Sequence, residues 1–279
     1  MPSVLHPVLH RPADTVPTVV IDLETTGLSV EQGHRVIELA AIRVDVHGEQ
    51  VLETLIDPGR TIPVEGQQIH HITEKMVASQ PDFADVLPLL REMVSDAVLV
   101  AHNAPADLAF LHAECGRLGE EPLAPLAVVD TLELARSVFG LAHCSLSALA
   151  ERIGVEHTPH RARPDAEATL AVYRAMLEAM EPDHMPSVAE LLALNASLAK
   201  GGDGRKAIVR GLRDAWRQGR SVVIDYTSAA GGALTTRRKI TITRIRPPYV
   251  EAQCHLRHEP RVFKVSRIRR IVDVSGDGE

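Results

Sequence analysis

The sequence predicts an α/β domain followed by a smaller β-rich domain. Two observations carry this. Short apolar runs at 18–24, 97–101 and 126–129 alternate with stretches of helical spacing as far as Met180. Beyond residue 204 the pattern becomes several short strands within about 55 residues, the spacing of a small barrel. At 279 residues the chain is long enough for two unequal domains. The expected divisions are a flexible tail over 1–16, with Pro2, Pro7 and Pro12, then a first domain over 17–181. A helical and Gly-rich linker over 182–204 leads to a second domain over 205–275.

Each element has its own signal. The run Val19-Val20-Ile21 reads as a buried strand that ends at Asp22, Glu24 and the turn Thr25-Thr26-Gly27. Residues 35–46 and 50–56 complete a three-stranded meander before the turn Asp57-Pro58-Gly59. Helices are expected over 73–77 and over 82–94, where Leu87, Leu90 and Val94 keep helical spacing. A buried strand over 97–101 precedes a helix with Asn103 as N-cap, Pro105 early and Gly119 near its end. The strand 126–129 leads into a helix from Thr131, and further helices are expected over 145–153, 164–180 and 188–198. Glu181-Pro182 and Pro186 break the chain, and Gly201-Gly202-Asp203-Gly204 reads as a flexible joint. After a helix over 207–216, Ile240 and Ile242 alternate with Thr241 and Thr243. Val250, Ala252, Cys254 and Leu256 alternate likewise with Glu251, Gln253, His255 and Arg257, which would project from the polar face of a half-buried strand.

Composition narrows the function classes. Hydrophobic and charged fractions of 45% and 24% are ordinary for a globular chain, and the 3% aromatic fraction leaves the core to Leu, Val, Ile and Ala. No apolar run has membrane-spanning length, and the first residues lack the apolar stretch of a secretory signal. Cys115, Cys144 and Cys254 are odd in number and form no CxxC pair, which points to a reducing, cytoplasmic setting without a zinc site. Charge is divided unevenly. Residues 1–200 hold 13 Lys and Arg against 29 Asp and Glu, whereas residues 201–279 hold 17 against 8. A basic segment of this kind suits contact with a polyanion.

Asp22, Glu24, Asp107, His160 and Asp165 are the candidate site, each expected where burial opposes charge. Residues two apart on a strand share a face, so Asp22 and Glu24 leave the strand end together. Asp107 shares a helix face with Phe110, Leu111 and Leu118, the face expected to meet the core. Unpartnered buried carboxylates are costly, and convergent ones are normally offset by a cation, Mg²⁺ or Mn²⁺ for all-oxygen ligation.

Three segments then bring a resemblance. Ile21-Asp22-Leu23-Glu24-Thr25-Thr26-Gly27, His102-Asn103-Ala104-Pro105-Ala106-Asp107, and His160 followed by Asp165 resemble the three motifs of the DEDDh 3′–5′ exonucleases in order and spacing. That family includes proofreading subunits of bacterial replicative DNA polymerases and ribonuclease T. Ile69-His70-His71-Ile72-Thr73 is similar to the segment before the family's second motif, where Gly or Asn is commoner than His71. The resemblance spans residues 17–180 and implies a ribonuclease-H-like fold with a mixed central sheet. It also implies two divalent cations held by Asp22, Glu24, Asp107 and Asp165, with His160 as general base. Hydrolysis would release nucleoside 5′-monophosphates from a 3′ end. Thr25, Thr26, Gly27, His102 and Asn103 become candidate substrate contacts, or else a turn and a helix cap. Ala106 departs from the family, which often has Phe there to pack the terminal base, and Phe110 is the candidate substitute. The other histidines, including His70, His71, His112 and His143, read as surface or satisfied core residues.

Residues 207–273 resemble a WYL domain, a small Sm/SH3-like β-barrel, through Val223-Ile224-Asp225-Tyr226, Tyr249-Val250-Glu251-Ala252 and residues 261–268. The Trp-Tyr-Leu that names the domain is Pro248-Tyr249-Val250 here. This implies binding of nucleic acid or a nucleotide-like ligand through Tyr249, His255, Arg257, Arg261 and Arg267, or otherwise a solvated basic strand face. The expected activity is 3′–5′ exonuclease action, with single-stranded DNA the favoured partner and RNA the alternative. Attendance on a DNA polymerase or repair complex is a further expectation. A regulatory nucleic-acid-binding protein on a nuclease scaffold is the reading from another class.

Overall fold

The computed structural model describes residues 6–137, 144–180, 185–192, 202–227, 235–246 and 249–272. The chain divides into two compact units, one of residues 1–133, 143–176 and 187–189, the other of residues 134–142, 177–186 and 190–279.

In the first unit a meander of β1 (Thr18–Thr25), β2 (Val36–Asp45) and β3 (Gly48–Leu55) pairs antiparallel. Two parallel strands, β4 (Val98–Ala101) and β5 (Ala127–Asp130), extend it to the order β3-β2-β1-β4-β5, a mixed sheet. Between the strands lie α1 (Val64–His70), α2 (Glu74–Val77), α3 (Phe83–Val94) and α4 (Ala104–Leu118); after them come α5 (Thr131–Ser137), α6 (Leu146–Ile153) and α7 (Ala162–Met180). α3 starts at a capping box in which Asp82 and Asp85 each accept the other's backbone N–H. α4 ends where Gly119 turns left-handed, φ 70°, and its N–H closes on the Cys115 and Gly116 carbonyls. Val19, Ile21, Leu39 and Ala41 pack with Leu87, Leu90, Phe110 and Leu111 into one core. The opposite face of β1 therefore carries Asp22 and Glu24.

The second unit contains α8 (Gly202–Arg217). The antiparallel strands β6 (Ser221–Thr227), β7 (Thr235–Arg246), β8 (Tyr249–Cys254), β9 (Glu259–Lys264) and β10 (Ile268–Val272) follow, in the order β10-β6-β7-β8-β9. Val222, Ile224, Ile240, Val250, Ala252, Cys254 and Phe263 form its core with Leu212 and Ala215 of α8.

Several expectations are corrected. The β-rich unit is an open sheet: β9 and β10 are its edges, and no pairing joins them among the described residues. α8 covers the apolar face that barrel closure would otherwise bury. The joint expected at 201–204 is helical from Gly202 onward. Within the tail expected over 1–16, Leu9, Ala13 and Val16 are buried and Pro12 is bridged to Ser187. α1 is an addition to the expected elements, because seven residues with a central Gly66 carry little periodicity. Leu118 is exposed, so the buried face of α4 stops at Cys115. The helix expected over 188–198 is seen over 188–192, and the rest, like His143, lies outside the described residues. Among the described residues no helix is long and apolar enough to cross a membrane.

Candidate active site

Strand alternation delivers Asp22 and Glu24 to one face, and the first turn of α7 delivers Asp165 to them. One oxygen from each of the three carboxylates lies within 4.8 Å of the others. Asp107, in the first turn of α4, stands near enough to Asp22 to repel it. Electrostatics record the crowding. Burial, then repulsion from Asp107, Asp165, Glu24 and Glu38, holds Asp22 well above the usual carboxylate range. Glu24 is pushed up to about 8 by burial and then by Asp165 and Glu38, against a lowering pull from Arg161. Asp107 also rises to about 8, mainly through burial. Half-buried carboxylates that repel one another suit a hard divalent cation, which would restore their charged forms.

Glu38 stands directly across from Glu24 in the β1–β2 register. Like charges so placed repel, and a guanidinium offsets them: Arg161 donates to both Glu38 oxygens, at 2.6 to 3.1 Å. His160 is exposed, contrary to the buried setting expected of it, on a left-handed backbone with φ 69°. Its backbone N–H donates to Asp165 Oδ2 at 3.1 Å. The other oxygen, Oδ1, bonds the Nε2 of His157, a buried ring not foreseen from the sequence.

The turn after β1 is built from inside. Thr26 is buried; its hydroxyl meets the Nδ1 of His34 at 3.0 Å and accepts the Arg35 N–H at 3.0 Å. Thr25 donates its hydroxyl to the Gly27 carbonyl. The His34 ring lies over Gly27 so closely that a Cβ there would meet it at 2.4 to 2.6 Å. His102 Nδ1 meets the Thr131 hydroxyl at 2.9 Å. Asn103 occupies the N-cap position of α4 in a left-handed conformation, φ 75°, without a side-chain cap bond; its backbone N–H is bound by Asp130 instead. Phe110 is committed to the core and Ala106 is exposed, so Phe110 does not replace the missing aromatic. His70 also departs from expectation. It is buried, accepts the Ile72 N–H on Nδ1 at 3.0 Å, and leaves Nε2 without a partner among the described residues.

The five residues expected to bind in the second unit do not share one surface. Tyr249 lies on the face opposite the core, with Lys264 over its ring. β8 ends at Cys254, which places His255 and Arg257 in the following turn rather than on a strand. Arg261 pairs in register with the buried Ala252 on edge strand β9, and Arg267 lies in the short 3₁₀ turn before β10.

Residues 19–173 match the family model described as Exonuclease. The chain belongs to that exonuclease family. A second model, the WYL domain, matches residues 207–272 of this family member. It is 40% identical over 180 residues to a DNA polymerase III subunit epsilon-like protein of Rhodobacter capsulatus, covering 62% of this chain and 25% of the relative. A PolC-type DNA polymerase III of Staphylococcus aureus is 37% identical over 186 residues, covering 63% and 12%. The exonuclease chain thus spans a quarter or less of these relatives' lengths. Among solved structures, the nuclease domain of 3′hExo, a DEDDh family member bound to rAMP, aligns with TM-score 0.53 at 17% identity over 60% of this chain and 94% of that one. Exonuclease I from Methylocaldum szegediense aligns with TM-score 0.51 at 17% identity, covering 93% and 65%. These likenesses show the ribonuclease-H-like exonuclease fold.

Reading the sequence for pairs of acids misses Glu38, His157 and Glu114. A signal exists for Glu38, a lone charge inside the apolar run Val36-Ile37-Glu38-Leu39-Ala40. None exists for His157, whose role depends on how the loop before α7 folds.

Proposed function

We propose that the protein is a metal-dependent 3′–5′ exonuclease that hydrolyses the terminal phosphodiester of a nucleic-acid strand and releases nucleoside 5′-monophosphates. The convergence of Asp22, Glu24 and Asp165, with Asp107 beside them, carries this reading. Two cations, Mg²⁺ or Mn²⁺, held by these four carboxylates would stabilise the attacking and leaving oxygens of an in-line displacement. Asp22, which feels Asp107 as well as Asp165 and Glu24, would help to hold both. His160, beside Asp165, takes the proton of the attacking water. The Thr25-Thr26-Gly27 turn presents backbone to the strand end, while both hydroxyls maintain the turn; His102 and Asn103 border the same site.

Single-stranded DNA is the substrate this reading favours, since the Rhodobacter and Staphylococcus relatives carry the names of DNA polymerase proteins, and a polymerase or repair complex is the matching partner. RNA trimming is the second reading, favoured by the rAMP bound to 3′hExo. The second unit, in this proposal, binds the strand's phosphates. Tyr249 leads the contacts, and His255, Arg257, Arg261 and Arg267 border them. The solvent face of its sheet adds Arg237, Lys239, Arg244, Lys264 and Arg270 against Asp225 and Glu251.

End-labelled single strands of DNA and RNA, incubated with Mn²⁺, test the proposal. Wild type should shorten DNA from the 3′ end, and Asp22→Ala should leave it intact. A wild-type protein that shortens neither DNA nor RNA would falsify the exonuclease reading.

A further inference from the structure

We propose that two buried glutamates outside the carboxylate cluster, Glu38 and Glu114, are positioning residues that divide the site between them: Glu38 sets the arm that performs hydrolysis, and Glu114 sets the turn that receives the strand end. This rests on the exonuclease reading above.

Glu38 lies in the central sheet with its side chain 2% exposed. Its oxygens accept Arg161 Nε at 3.0 and 3.1 Å, Arg161 Nη2 at 2.6 Å and the Ala162 N–H at 2.9 Å. Arg161 immediately precedes α7 and Ala162 begins it, and the Arg161 carbonyl accepts the Asp165 N–H at 3.1 Å. A two-pronged bond to a planar guanidinium fixes direction as well as distance. Together with the amide bond it sets where the first turn of α7 starts, and so where Asp165 and the adjacent His160 stand over β1.

Glu114 does the same on the other side. Its side chain is 1% exposed on α4. It accepts Arg35 Nε at 2.7 and 3.0 Å and the Val36 N–H at 3.2 Å, and it pairs with the Arg117 guanidinium, whose Nη1 lies at 3.1 Å. Arg35 is the residue that closes the turn: its carbonyl accepts the Thr26 N–H at 2.9 Å, and its N–H donates to the Thr26 hydroxyl. Arg117 also holds the His34 carbonyl at 3.1 Å, which seats the ring over Gly27. Glu114 therefore fixes the return limb of the 26–35 loop.

Buried ion pairs of this kind seldom stabilise a fold beyond what apolar residues would give. Geometry is what these two supply, and each is joined to a different half of the site. The consequence is a crossed pattern that lost stability alone would not produce.

Glu38→Gln and Glu114→Gln, made in the full chain, test it by steady-state hydrolysis of a short single strand, Mn²⁺ titration followed by electron paramagnetic resonance, and calorimetric binding of thymidine 5′-monophosphate. Glu38→Gln should lower kcat and Mn²⁺ affinity, each by ~10–100-fold, the usual effect of losing a group that orients a metal ligand. Its KM should stay within about two-fold of wild type, since uniform binding is untouched. Glu114→Gln should raise KM and weaken nucleotide binding by ~10-fold while Mn²⁺ affinity holds, the signature of lost uniform binding. Should either variant fail to fold, Arg161→Lys and Arg35→Lys keep the charge but lose the fork, and the same crossed pattern is expected. The proposal is overturned if the two variants change kcat and KM alike in step with their melting temperatures, or if Glu38→Gln binds Mn²⁺ as wild type does. If wild type hydrolyses no strand, the exonuclease reading fails by itself, because Mn²⁺ and nucleotide binding still report on each glutamate.

Discussion

Single carboxyls in the cluster tie proton uptake to folding. Glu24 and Asp107 are raised to about 8 in the folded chain, so the folded state binds protons that the unfolded chain has already released. A group raised in this way contributes stability fully below its ordinary pKa, and loses that contribution as pH rises through the folded value. Metal-stripped protein should therefore melt at progressively lower temperature between about pH 4.5 and pH 8, then level off. Mg²⁺ or Mn²⁺ should raise the melting temperature more at about pH 8 than at about pH 5.5, since the cation needs the ionised carboxylates. A flat melting profile across that window, read by scanning calorimetry in chelator, would contradict the electrostatic account. His160→Ala should lower kcat by ~10²–10⁴-fold, the general-base contribution, with Mn²⁺ binding retained.

Elements decide which side chains the turn after β1 can hold. The turn between β1 and β2 leaves no room for a side chain at Gly27, since the His34 ring occupies the place of its Cβ. Gly27→Ala should therefore displace His34 and raise KM, and adding His34→Ala should restore much of the loss; no restoration in the double variant would show that the ring is not the obstacle. Helix α4 presents a small exposed residue, Ala106, where the family often has an aromatic, and buries Phe110 one turn further on. Ala106→Phe should tighten binding of a single strand by roughly 1–3 kcal/mol, the worth of stacking one base. Phe110→Ala should cost about 3–5 kcal/mol of stability without improving or impairing base preference. Denaturant melts and strand-affinity measurements on the two variants separate these roles.

Across the whole molecule, charge is divided unevenly along the chain, 13 Lys and Arg against 29 Asp and Glu over residues 1–200 and 17 against 8 over residues 201–279. The first unit carries the acidic site, and the second turns a basic sheet face to solvent, where Lys239 and Arg244 are exposed and Arg237 and Arg270 share Asp225. Reversing Arg237, Lys239 and Arg244 to Glu should weaken strand binding and flatten its salt dependence, by about one unit of slope for each phosphate left without a cation. Removal of residues 202–279, where α8 begins, should do so more completely. Unchanged affinity and salt slope in both proteins, measured by fluorescence anisotropy, would remove the sheet from the binding account.

The sequence alone determined which carboxylates to look for, of which Asp22, Glu24 and Asp165 converge, and most of the elements. A buried strand ending in two acids, a helix opened by Pro105 and closed by Gly119, and Asp165 near a helix start are local patterns, and local patterns survive in a linear reading. Burial and long-range pairing do not. Only the tertiary structure showed that Glu38 faces Glu24 across a register, that Arg161 returns from 123 residues away to offset it, and that His157 lies on Asp165. It alone left the second sheet open, because α8 covers the face that a closed barrel would have buried. The reactive residues are chosen by type, which sequence records; what holds them in place is chosen by distance, which appears only when the chain has folded.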